Sequence, residues 1–138
     1  MNEHSKSFQY VNHLISIMRA VEETQWKQID ESSKEIADVI KAKHSVFIFG
    51  ASHAGILAQE MFYRTGGLAV LNAILPSEFM LNTRPVVQTS AMEKLDGYPS
   101  IILDNTSIKE GDILILHSVS GRNTAAVEMA MEDRKSVV

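Results

Sequence analysis

The hydrophobic positions change period along the chain, and the changes mark its elements. Phe8, Val11, Leu14, Ile15, Met18 and Val21 recur at three- and four-residue spacings, which places them on one stripe of a helix. Ser5 or Ser7 stands where a helix cap is expected. A second helix is predicted after Trp26-Lys27-Gln28-Ile29, opened by the capping-box pattern Ser32-Ser33-Lys34-Glu35 and buried through Ile36, Val39 and Ile40. From Ser45 the pattern becomes one of short, continuous apolar runs. Val46-Phe47-Ile48-Phe49 ends at Gly50, Leu68 to Leu75 ends at Pro76, and Ile113-Leu114-Ile115-Leu116 follows the turn Glu110-Gly111. Runs of this kind suit strands buried on both faces, as in a parallel sheet. Between the first two, residues Ile56 to Arg64 read as a helix stopped by Gly66-Gly67. Strand, turn, helix and strand together form the unit of α/β folds.

The stretch from Pro76 to Gly111 holds Pro85 and Pro99 as well, and no long helix fits between them. Ser90-Ala91-Met92-Glu93 reads as a cap for a short helix reaching Leu95 or Asp96, and Pro99 suits the first turn of another through Ile102 and Leu103. A last helix is predicted from about Ala125 to Asp133. The expected organisation is a helical segment over residues 1–44 and an α/β segment over 45–138, together one structural domain.

Composition narrows the field. With 138 residues the chain has room for one domain, and 45% hydrophobic with 22% charged residues is ordinary for a globular protein. The net charge of −4 argues against sequence-independent binding to nucleic acid, which needs clustered Lys and Arg. The absence of cysteine excludes disulfides, thiolate metal sites and a cysteine nucleophile. No apolar run reaches the ~20 residues of a membrane span, and the first residues lack the pattern of a signal peptide. A cytoplasmic protein without membrane or nucleic-acid partners is expected.

Candidate chemistry gathers after two strands, since α/β sheets bind ligands beyond the carboxyl ends of their strands. His117-Ser118-Val119-Ser120-Gly121-Arg122-Asn123-Thr124 leads from the third run into a helix. Free N–H groups at a helix start favour an anion, and Ser118, Ser120, Asn123 and Thr124 add neutral donors suited to a phosphate monoester. Gly121 would let the backbone approach closely. Ser120 or Asn123 as a plain helix cap is the competing reading, and Arg122 either reaches the phosphate or lies in solvent. After the first run, Gly50-Ala51-Ser52-His53-Ala54-Gly55 lacks the spacing of a dinucleotide fingerprint and the Lys of a P-loop. Ser52 is a candidate ligand contact there. His53 is a candidate for proton transfer or a capping and packing residue. Glu60, two turns further on, fits a catalytic carboxylate, but four residues before Arg64 it fits a surface ion pair better. No spacing of His or carboxylates suggests a metal.

Val46 to His53 and Ile115 to Asn123 together resemble the SIS, or sugar isomerase, domain. Glu60-Met61-Phe62-Tyr63-Arg64-Thr65-Gly66-Gly67-Leu68-Ala69, Ser120 to Asn123 and Glu128-Met129-Ala130 are similar to stretches of a bacterial branch of that family. The resemblance implies a three-layer αβα sandwich with a parallel sheet of flavodoxin-like order, preceded by N-terminal helices. It implies phosphosugar binding with Ser118, Ser120 and Asn123 at the phosphate and Ser52 at the first turn, although Asn123 stands where Ser or Thr is usual. SIS sheets commonly have five strands, of which three are countable here. Ser136-Val137-Val138 resembles the start of a fourth, so a C-terminally truncated domain is expected, with some catalytic groups missing. The implied activity is aldose–ketose isomerisation of a sugar phosphate through an enediol, with His53 or Glu60 as the proton-transfer group and no cofactor. A non-catalytic sugar-phosphate sensor, or an inactive fragment retaining the phosphate loop, are the alternatives. Self-association as a dimer or higher homo-oligomer is expected.

Overall fold

A computed structural model describes residues 5–136, with side chains as far as Glu132. The chain divides after Asp38 into two compact units. The first is made by α1 (Lys6–Lys41), a single 36-residue helix that continues into the second unit and has no buried residue. Two helices were expected here. The chain forms one because no Gly or Pro interrupts it, and because Ser33, within the expected capping box, donates its hydroxyl to the Asp30 carbonyl inside the helix at 2.8 Å. Ser5 does cap the start: its Oγ accepts from the Phe8 N–H at 3.3 Å.

The second unit is an α/β fold around a parallel sheet of three strands in the order β2-β1-β3. β1 (Val46–Gly50) is central, with β2 (Leu71–Ile74) and β3 (Ile113–His117) on either side. Val46 pairs with Leu71 on one side and with Ile113 on the other, and Gly50 pairs with His117. β1 is buried at every position, so its sequence is a continuous apolar run rather than an alternation. Phe47 and Phe49 belong to a core with Ile74, Phe79, Ile102, Leu103, Ala125 and Met129. Phe79 stands edge-on to both Phe49 and Tyr98, with ring centroids 5.8 and 5.6 Å away.

The helices differ from expectation mainly at their ends. α2 (Gly55–Met61) stops before Arg64 because Phe62 is extended and Tyr63 takes a φ of +48°. β2 is shorter than the apolar run that suggested it, since the chain turns over 65–70 before entering the sheet. α3 (Gln88–Met92) places Ser90 inside the helix and Glu93 just beyond its end, so the expected cap at Ser90 does not form. α4 (Tyr98–Asp104) has Pro99 in its first turn, as expected. α5 (Thr124–Ser136) takes in Ser136, expected to start a fourth strand; the other two residues of that expected strand, 137 and 138, lie outside the described residues. No helix among the described residues is long and apolar enough to cross a membrane.

At the amino ends of the strands a buried carboxylate fixes the turn into β3. Asp112 accepts from the Ser45 N–H at 2.7 Å and the Lys109 N–H at 2.8 Å, joining the entry to β1 to the entry to β3. The candidate site lies at the other end of the sheet.

Candidate functional site

Because Gly50 and His117 are register partners, the loops that leave β1 and β3 start side by side. The first is held tight by two glycines. A Cβ on Gly50 would lie 2.5 Å from the Ala54 carbonyl oxygen, and one on Gly55 would lie 2.6 Å from that of Gly50. Backbone thus packs on backbone, and neither position admits a side chain without movement. Inside this turn Ser52 is buried and carries a φ of +51°, in the left-handed region that non-glycine residues seldom occupy. From that conformation its hydroxyl donates to Glu93.

The second loop is organised by its own hydroxyls. Ser118 Oγ accepts from the Gly121 N–H at 3.0 Å, and Ser120 Oγ accepts from the Arg122 N–H at 3.3 Å. Each hydroxyl keeps its proton available to a ligand. Gly121 has a φ of +63° and open space where a Cβ would stand, so the turn rather than a close approach within the chain accounts for glycine there. Asn123 then directs its side-chain amide to Glu93 and offers its carbonyl to the N–H groups of Ala126 and Val127 in α5.

Glu93 joins the two loops. One carboxylate oxygen accepts from Ser52 and the other from Asn123, while its main-chain carbonyl accepts from the Ala125 N–H at 3.0 Å. Three separate segments therefore meet at one residue. His117 adds a fourth tie: its Nδ1 lies 2.9 Å from the Ala54 carbonyl, which can only accept, so Nδ1 carries the proton.

Together these groups enclose a cavity of about 290 Å³ lined by Ser52, His53, Glu93, His117, Ser118, Ser120 and Asn123. Ser52, Ser118, Ser120, Asn123 and His53, singled out from sequence, are thus brought to one cavity. Gly121 and Thr124 border the loop without lining it. Glu60 is not at the cavity; it is exposed and pairs with Arg64. In the sequence Glu93 stands out only as part of a helix cap. No local pattern marks it, because its partners lie 41 and 30 residues away. Among the described residues no cluster of three or more His, Asp or Glu is placed to hold a metal ion.

A family model described as SIS domain matches residues 9–136. The chain belongs to the SIS domain family. Three curated relatives agree with that placement. A UPF0309 protein of Oceanobacillus iheyensis is 45% identical over 123 residues, which are 89% of this chain and 50% of the relative. One from Streptomyces coelicolor is 35% identical over 135 residues, 97% of this chain and 54% of the relative. One from Caldanaerobacter subterraneus is 35% identical over 127 residues, 91% and 51% respectively. This SIS chain therefore spans about half the length of the curated relatives it matches. Within it, the SIS-type loop Ser118-Val119-Ser120-Gly121 is the one that leaves β3, and the turn containing Ser52 is the one that leaves β1.

Proposed function

We propose that this SIS domain binds a sugar phosphate in the cavity between the two loops, and that Glu93 is its proton-transfer group. The observation that carries the reading is the convergence of Ser52, Ser118, Ser120 and Asn123 on one cavity whose single carboxylate, among the described residues, is Glu93. Its size is near the lower end for small-ligand pockets, roughly 300 Å³. The phosphate takes the Ser118–Asn123 loop, where hydroxyl donors stand at the start of α5, a helix of 13 residues. No Lys or Arg among the described residues lines the cavity, so neutral donors and the two histidines would hold the dianion. The sugar carbons then face Glu93.

In an aldose–ketose isomerisation the Glu93 carboxylate would take the proton from C2 of the open-chain aldose. The C–H electron pair becomes the C1–C2 double bond, and the C1 oxygen gains a proton, giving the enediol. Loss of the proton from the C2 hydroxyl and return of one to C1 completes the ketose. His53, exposed at the rim, is placed to exchange the oxygen proton.

The test is thermal denaturation with a panel of pentose and hexose phosphates, inorganic phosphate and unphosphorylated sugars. A ligand at one hundred times its Kd stabilises by about 2.7 kcal/mol, a shift of several degrees. Sugar phosphates should shift the midpoint and Ser120→Ala should remove most of the shift; no shift with any phosphate sinks the reading. Proton NMR in D₂O with the preferred ligand then separates roles. Deuterium appearing at C2, and lost in Glu93→Gln, supports isomerisation, whereas binding without exchange marks a sensor.

A further inference from the structure

We propose that His117 is the charged partner of the phosphate, and that it becomes one by taking up a proton as the sugar phosphate binds. Granted the phosphate site in the cavity, on which this rests, a lining without Lys or Arg among the described residues needs another source of positive charge. His117 ends β3 immediately before Ser118, and it lines the cavity. Its Nδ1 hydrogen is committed to the Ala54 carbonyl at 2.9 Å. That carbonyl is packed against Gly50, where a Cβ would come within 2.5 Å of its oxygen, so it has no room to swing aside. The tie therefore fixes both the plane of the ring and its tautomer.

Nε2 is left over. The His117 side chain makes no other hydrogen bond among the described residues, so this nitrogen is free for whatever occupies the cavity. On a neutral ring it carries a lone pair, which repels a phosphate oxygen. With a proton it becomes a donor, and an imidazolium–phosphate bond is charge-assisted, about twice as strong as a neutral one. The same balance is reached if the phosphate arrives as its monoanion and its P–O–H donates to Nε2. Either way the complex holds one proton more than the neutral ring and the free dianion together.

The other titratable groups lining the cavity are His53, from the turn after β1, and Glu93, beyond the end of α3. α2 and α5, which pack against β3, add no charged residue to that lining among the described residues. His53 is exposed at the rim. Both Glu93 oxygens already accept, from Ser52 and from Asn123, so a proton there competes with a bond between the loops. His117 remains as the group that gains it. A free imidazole and a free phosphate monoester have both shed this proton above about pH 7. Binding should therefore weaken by about tenfold per pH unit there, and level off below about pH 6, where the free groups already carry the proton.

Calorimetry with glucose 6-phosphate, fructose 6-phosphate, ribose 5-phosphate and inorganic phosphate counts the protons, each titration being run at about pH 8 in two buffers of different ionisation enthalpy. The sugar phosphates that bind should take up about one proton each. His117→Asn keeps an amide where Nδ1 donates to Ala54 and has nothing at the Nε2 position. Its melt should match the parent, while the uptake disappears and affinity at about pH 7 falls at least about tenfold. His117→Gln, which puts a neutral amide near the Nε2 position, should also bind without uptake, and covers the case in which Asn disturbs the strand end. Long-range proton–nitrogen NMR of the unliganded protein at about pH 8 should show the His117 proton on Nδ1. Binding without uptake overturns the proposal and leaves the cavity reading standing. So does uptake that survives His117→Asn but is lost in His53→Asn or Glu93→Gln. A proton on Nε2 in place of Nδ1 in the unliganded protein overturns it without any ligand. If none of the four phosphates binds, the cavity reading fails and this proposal with it.

Discussion

Replacing Glu93 by Leu removes both side-chain acceptors that tie the β1 turn to the β3 loop while keeping the volume filled. Ser52 and the Asn123 amide each lose a hydrogen bond to a carboxylate in a partly buried setting. Such bonds are worth about 1.5–3 kcal/mol, and partial exposure lets water recover some of it. We expect a net loss of about 2–4 kcal/mol, a fall in Tm of roughly 7–15 °C for a chain of this size. The sharper version is an exchange of partners. Asn123→Asp alone sets two carboxylates against each other. Combining it with Glu93→Gln restores one donor and one acceptor, because the amide introduced at position 93 can then donate to the carboxylate introduced at position 123. The double variant should recover to within about 1 kcal/mol of the parent, with a coupling energy of at least about 1.5 kcal/mol in a double-mutant cycle. Urea denaturation of the four proteins measures it. If Glu93→Leu costs less than about 0.5 kcal/mol, the level of an ordinary surface change, or the effects of the exchange simply add, Glu93 does not join the loops.

Gly50→Ala should cost at least about 3 kcal/mol and abolish ligand binding, since its Cβ meets the Ala54 carbonyl at 2.5 Å; Gly66→Ala, with open space but a φ of +79°, should cost only about 1 kcal/mol. Asp112→Ala leaves the Ser45 and Lys109 amides without their acceptor and should cost about 2–4 kcal/mol in urea denaturation while sparing the cavity at the far end of the sheet. The pair Tyr98 and Glu78 gives a pH signature. Burial, then the hydrogen bond to Glu78 and its charge, push the Tyr98 hydroxyl above its ordinary pKa. Its own backbone N–H, then Tyr98, hold the Glu78 carboxyl below the usual range. The Tyr98 contribution is therefore complete below about pH 10 and fades as pH rises through the folded value; the Glu78 contribution is present above about pH 4 and fades as pH falls. Urea midpoints followed from acid to alkaline pH should show both limbs in the parent, and Tyr98→Phe should flatten the alkaline one.

Much of this was legible in the chain, for identifiable reasons. β1 announces itself because burial on both faces leaves little room for polar residues, and its boundary falls where the apolar run stops; β3, expected to be buried in the same way, carries a similar run but is only half-buried along its length, because it lies at an edge of the three-stranded sheet. The two loops could be located because each begins where such a strand stops, although hydroxyls and glycine there serve a turn or a helix cap as readily as a ligand. The division of α1 into two fails because Ser32-Ser33-Lys34-Glu35 has the composition of a helix start, whereas a serine hydroxyl can equally return to a carbonyl three residues back. α2 is shorter than its pattern suggests because the positive φ at Tyr63 belongs to the turn that follows and leaves no mark in propensity. Glu93 stays hidden for a different reason. Its short helix lies between prolines where no periodicity develops, and its role exists only once strands far away in sequence have brought Ser52 and Asn123 to it.

The bond from the Ala125 amide to the Glu93 carbonyl reaches further than the side chain does. A substitution can change a carboxylate, but no substitution short of proline at 125 removes that main-chain link, so the distance from residue 93 to the start of α5 is set by backbone geometry. Attempts to redirect ligand preference by exchanging residues in the 88–97 segment should therefore tolerate changes of identity and fail on changes of length. A library built on this protein would do well to randomise the positions around Glu93 and leave their number alone.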